Sequence, residues 1–299
     1  MTRNRRRTSQ QGRHRPESVE ADHFLTTLVP VAGRPPLIKY IGQLWQRRFF
    51  IQAGARAKAF AGSRNLILGN LWLILSPLFD LLMYGLLFGV ILKTSRGIDH
   101  FILFLIIGII MFRILSKDLA EGVGMIRSKK HLIKAFPFPR AALVISNSLR
   151  TSYDSIPPLL VLFVVIMFYP GGPAPTWKWT LFPLLFILVK TFSTGLTFIA
   201  AWSTHLVPDL SRLIQLFSRF WFYGSGVFFS IDRFVEHPFL LQGMQANPAY
   251  QILTAARGIL IYDSVPPPHI WVYLSAWASA TLILGFVLFW SAEANYAKY

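Results

Sequence analysis

The sequence has no cysteine, which excludes disulfides, thiolate metal sites and cysteine nucleophiles and leaves the redox compartment open. Acidic residues are few: 13 Asp and Glu stand against 30 Lys and Arg, and charged residues of both signs make up only 14% of the 299 positions. A soluble domain needs more surface charge than this. Two nucleotide-binding signatures are also missing, the phosphate-cradling Gly-x-x-x-x-Gly-Lys-[Ser/Thr] and a Gly-x-Gly-x-x-Gly following a strand. If ATP drives this protein, another chain must bind it. The seven histidines include no pair at metal-ligand spacing beside a carboxylate, so no metal site is expected.

What is present is apolar: 54% of the residues are hydrophobic and the mean hydropathy is +0.47. Several stretches exceed the ~20 residues that cross a ~30 Å hydrocarbon core at ~1.5 Å per residue. The reading is an all-α membrane protein with six spans, at about 66–92, 101–125, 141–168, 178–204, 206–231 and 270–291. Residues 1–36 form a basic tail, read as disordered and cytoplasmic, with no apolar segment behind the arginines of a signal peptide. Residues 37–65 carry an amphipathic interfacial helix, because Ile38, Ile41, Trp45 and Phe49 recur at helical spacing opposite Lys39, Gln43, Gln46 and Arg47. A short soluble helix packed on a partner is the other account of that pattern.

A net charge of +17 invites a nucleic-acid reading, but the distribution of the cations argues for membrane topology and against nucleic acid. Between the spans, 19 Lys and Arg fall on the side of both termini and 4 on the other. The positive-inside rule makes the richer side cytoplasmic, so residues 292–299 and the N-terminus face the cytoplasm of a plasma or inner membrane. Residues 232–269 are long for a structureless loop. Asn247-Pro248 reads as a cap followed by proline at the first helical position, so this stretch is expected to hold two short external helices dipping into the outer leaflet.

Charges inside spans are expensive and turn toward protein or water. Arg113, Lys117 and Glu121 recur at i, i+4 and i+8 along the second span, where Lys117 and Glu121 are placed to pair. Asp80, Arg150, Asp154, Lys190, Arg212 and Arg219 add charges to other spans. Two readings stand: pairing inside the bundle, or the lining of a hydrated conduit. The fifth span also holds Phe217, Phe220, Trp221, Phe222, Tyr223, Phe228 and Phe229, interrupted by Gly224-Ser225-Gly226. Such rings either pack or offer faces to sugar C–H groups. Gly85 and Gly89 form a small-xxx-small pattern for close helix approach. Asp99-His100 is either a solvated turn or the acidic group that a membrane glycosyltransferase would need.

The order of these features resembles the permease subunits of ABC-2 type polysaccharide exporters, the Wzm, TarG and KpsM group. The resemblance runs over about residues 37–291, through Gly62-Ser63, Leu68-Gly69-Asn70-Leu71-Trp72, Ser76-Pro77-Leu78, Phe88-Gly89, Leu132-Ile133-Lys134-Ala135-Phe136-Pro137, and Asn247-Pro248-Ala249-Tyr250 with Arg257. It departs at Gln52-Ala53-Gly54-Ala55-Arg56, where an acidic-basic pair is common. It implies a homodimer moving a polyprenyl-linked glycan of galactan, teichoic acid or O-antigen type, with ATP and Mg bound by a separate ATPase subunit and no cofactor or catalytic residue in this chain. The expected ATPase contact is the loop carrying Arg127, Lys129, Lys130, Leu132, Ile133, Lys134 and Phe136; the expected path includes Arg113, Lys117, Glu121, Phe217, Phe220 and Trp221. Alternatives are an ABC-2 drug or lipid exporter, and a glycosyltransferase using a polyprenyl-linked sugar.

Overall fold

The computed structural model describes residues 35–61, 75, 76, 78, 79, 82, 83, 86, 87, 98–136, 138–230 and 237–297. The basic tail and most of the expected first span, including Asp80, Gly85 and Gly89, lie outside the described residues. Every regular element among those residues is helical. In chain order they are α1 (Leu37–Gln46), α2 (Arg48–Ala61), α3 (Phe101–Gly122), α4 (Met125–Ser128), α5 (Lys130–Ala135), α6 (Ala141–Phe168), α7 (Phe182–Leu206), α8 (Leu210–Gly224), α9 (Pro238–Gln245), α10 (Pro248–Leu260) and α11 (Pro268–Ser291). A 3-10 turn, Trp177–Leu181, leads into α7, and another, Glu293–Ala297, follows α11.

Among the described residues, three helical stretches are long and apolar enough to cross a membrane: Ala141–Phe168, Trp177–Leu206 and Pro268–Ser291. Two of them leave an apolar flank uncovered, Ile156, Leu160 and Val164 on α6 and Val272, Ile283 and Leu284 on α11. A hydrocarbon solvent would cover those flanks without cost. α3 has the length, 22 residues, but sits at the centre of the bundle, with Leu103, Leu105, Ile107, Met111 and Leu115 fully buried against α6, α7 and α10. Its first three turns, residues 101–112, are apolar on all sides, and such a stretch belongs inside.

Where the sequence reads one span over 206–231, the chain instead makes the 15-residue α8. At ~1.5 Å per residue it covers roughly 22 Å, short of a ~30 Å core. Its end is set by Gly224-Ser225-Gly226, in which Gly226 takes a left-handed φ of 65°. Asn247 then binds the two ends together. Its side-chain oxygen accepts from the Ala249 N–H (3.0 Å) and from Trp221 Nε1 (2.9 Å), while its Nδ2 donates to Ser225 Oγ (3.0 Å). It thus caps α10 and anchors the C-terminus of α8 in one step.

Among the described residues, α7 and α11 make the most extensive contact. They meet through glycines: a Cβ on Gly195 would lie 2.4 Å from the Thr281 carbonyl carbon, and one on Gly285 2.5 Å from the Gly195 oxygen. This is the close approach small residues permit.

A second core gathers at the end where α1, α4, α5, the start of α6 and the C-terminal turn meet. The Tyr40 hydroxyl donates to Glu293 Oε2 (2.8 Å) and accepts from the Ala141 N–H (3.0 Å). Glu293 Oε1 accepts from the Arg140 N–H (2.9 Å) and guanidinium (3.1 Å). All three side chains are buried, and burial holds the Glu293 carboxyl above the usual range despite those donors. α1 meanwhile turns Ile38, Ile41 and Trp45 outward. The apolar stripe therefore faces away from the protein, as an interfacial helix requires.

Candidate functional site

A cleft of about 600 Å³ opens between α3 and α8. α3 contributes Phe112, Arg113 and Ser116, and α8 contributes Gln215, Ser218, Arg219, Phe222 and Tyr223. On α8 the residues 215, 218, 219 and 222 follow the i, i+3, i+4, i+7 spacing of one helical face, as do 109, 112, 113 and 116 on α3. Hydroxyl, amide and guanidinium groups thus face each other with aromatic rings between them. Phe222 is held edge-on by Phe112 (5.1 Å) and Phe228 (5.1 Å), and Tyr223 stacks on Phe228 (5.9 Å). Such a wall donates and accepts hydrogen bonds and presents ring faces, the combination that polyhydroxylated ligands use.

Of the expected path residues, Arg113 lines this cleft; the others do not. Lys117 and Glu121 do not pair with each other, because α6 supplies better-placed partners: Lys117 Nζ binds Asp154 (2.8 Å) and Arg150 binds Glu121 (2.6 Å), with Arg150 also 3.8 Å from Asp154. Trp221 faces the core, packed against Phe112 and Phe192 and bonded to Asn247. Phe217 and Phe220 are exposed on the outer side of α8.

Asp118, absent from the sequence reading, is the most buried charge among the described residues. It accepts from Lys190, Thr151 and Ser193, and Lys190 also donates to Thr151 (3.0 Å). The signal was available, since an acid in an apolar 22-residue helix demands a partner and Lys190 is a lone cation in α7. Arg257 is likewise buried and spends its guanidinium on the carbonyls of Phe104 (3.2 Å), Gly226 (3.0 Å) and Val227 (3.1 Å). The Gly226 and Val227 carbonyls lie just past the end of α8 and have no helical partner, while Phe104 belongs to the first turn of α3, so Arg257 ties the two helices together.

The loop expected to meet an ATPase is made of α4 and α5. Leu132 and Phe136 are exposed, as are Arg127, Lys129, Lys130 and Lys134. Ile133 turns the other way, buried in the second core, and fastens the loop to its own chain. Asp99-His100 forms the turn before α3, with Asp99 exposed and His100 at a left-handed φ of 51°.

An all-helical bundle with apolar helices long enough to cross a membrane and a polar cleft between α3 and α8 has the character of a multi-pass membrane protein. Residues 61–261 match the family described as ABC-2 type transporter, and the chain belongs to that family. It is 24% identical over 257 residues to the O-antigen export system permease protein RfbA of Myxococcus xanthus, covering 86% of this chain and 95% of that one. It is also 22% identical over 228 residues to the polysialic acid transport protein KpsM of Escherichia coli, covering 76% and 86%.

Proposed function

We propose that this chain is the transmembrane subunit of an ABC exporter that moves a lipid-linked cell-surface polysaccharide across the cytoplasmic membrane. The cleft between α3 and α8 carries the reading. It is a polar and aromatic wall in a bundle whose α6 and α11 flanks are apolar, and a glycan needs that lining while a purely lipophilic cargo does not. The names of the two relatives support the polysaccharide class.

The remaining parts of the proposal follow from this one. Six passages per chain, the fifth made by α8 although it is shorter than the bilayer core, with both termini cytoplasmic, agree with the distribution of Lys and Arg. A homodimer would set two such clefts around one passage, and the outer face of α8, with Leu213, Leu216, Phe217 and Phe220 exposed, is apolar enough to take part. ATP hydrolysis belongs to a separate subunit that docks on α4 and α5 through Leu132 and Phe136. α9 and α10 sit at the external side.

The test is to fill the cleft. Ser116→Leu with Ser218→Leu leaves charge and helix propensity nearly unchanged and narrows the passage. Export measured in cells depleted of the native protein should fall at least tenfold, with polymer accumulating inside, while folded yield stays within twofold. Normal export by the double variant would remove the cleft from the path.

A further inference from the structure

We infer that a pocket between α2, the α3–α4 junction and α6 binds the phosphate or diphosphate group of a membrane lipid at the cytoplasmic interface. The pocket measures about 280 Å³ and is bounded by Lys58, Glu121, Ser128, Lys129, Asn147 and Arg150. At about 30 Å³ per water it has room for several waters, and so for a diphosphate.

Charge bookkeeping gives the pocket its sign. Lys117, Asp154, Arg150 and Glu121 form a chain of ion pairs that is neutral in sum. Lys58 and Lys129 have no carboxylate partner among the described residues and add two positive charges at the same place. A diphosphate joining a lipid to a sugar carries two negative charges. Asn147 adds a second indication. Its carbonyl oxygen accepts from Arg150 (3.2 Å), which leaves its Nδ2 buried with no acceptor. A buried donor without a partner is unfavourable, and a phosphate oxygen would satisfy it. Lys58 is held below the ordinary lysine range, first by partial burial and then by repulsion from Lys129 and Arg150, and an anion between them relieves that repulsion.

The position fits a lipid rather than a free anion. α2 continues the interfacial helix and packs along α6, with Phe49 and Phe50 exposed for the membrane about two turns before Lys58. A headgroup lying at the level of Lys58 would keep its chains in the bilayer. The inference rests on the exporter reading for its sidedness, and its test involves no transport, so either can fail alone.

Full-length protein in nanodiscs of phosphatidylcholine is titrated with geranylgeranyl diphosphate, with phosphatidylglycerol, and with geranylgeraniol as the uncharged control. Geranylgeranyl diphosphate should bind, geranylgeraniol should bind at least tenfold more weakly, and Lys58→Gln with Lys129→Gln should lose at least tenfold. Lys58→Arg with Lys129→Arg should retain binding, which separates charge from misfolding. Loss confined to the diphosphate assigns the pocket to the cargo's linker; equal loss for phosphatidylglycerol assigns it to bulk anionic lipid, and both uphold the phosphate site. Unchanged binding of both probes by the glutamine variant, or no preference of the wild type for diphosphate over alcohol, overturns it.

Discussion

Asp118 shows what a single side chain demands of its surroundings. It has no exposure to solvent, and three donors from two helices converge on it. Removing one member of a buried pair leaves an uncompensated charge, at a cost of ~3–5 kcal/mol, whereas removing both in favour of apolar side chains is close to neutral. Lys190→Met should therefore lower the thermal unfolding temperature of the purified protein sharply, and Asp118→Leu with Lys190→Met should recover most of the loss. A double variant as unstable as the single one would assign the pair a role beyond mutual neutralisation. Arg257 makes the complementary case. Its membership in the Asn247-Pro248-Ala249-Tyr250 stretch was legible in the sequence, but its partners were not. Two of them are backbone carbonyls just past the end of α8 and the third is the Phe104 carbonyl on α3, and hydropathy alone carried α8 onward to residue 231.

Among elements, the faces of α3 and α8 were partly legible. Arg113 and Arg219 were visible as charges within spans, yet Gln215 and Ser218 join the cleft only once α8 is read by its i, i+3, i+4, i+7 face instead of its aromatic content. The same distinction separates neighbours in the α4–α5 loop. Leu132 and Phe136 are 39% and 61% exposed, and Ile133 is 1% exposed. Leu132→Ser with Phe136→Ser should leave insertion and folded yield unchanged while uncoupling ATP hydrolysis by the partner subunit from export. Ile133→Ser should instead reduce folded yield, since truncating a buried aliphatic side chain costs ~2–5 kcal/mol. Coupled transport in the first variant would reduce the loop to a topology signal. Close packing was anticipated at Gly85 and Gly89, which lie outside the described residues; among those described, α7 and α11 approach closely at Gly195 and Gly285. A methyl group at either would meet backbone rather than a yielding side chain, so Gly195→Ala should lower the unfolding temperature more than Gly243→Ala, whose Cβ would meet nothing within 4 Å.

For the whole molecule, the absence of cysteine gives a clean background for topology. A cysteine introduced at Ser128 should be shielded from an impermeant thiol reagent in intact cells, and one at Gln242, exposed on α9, should react; the reverse pattern would invert the chain. The backbone contact of α7 with α11 has a mechanical meaning. Two helices that meet at main-chain distance cannot slide past each other without a clash, so they rotate as a single lever, and whatever alternates access must do so along a softer seam. The thinly packed border of α3 with α8 is such a seam. Spin labels placed across the cleft should report two distances when the ATPase cycles, while labels on α7 and α11 should report one.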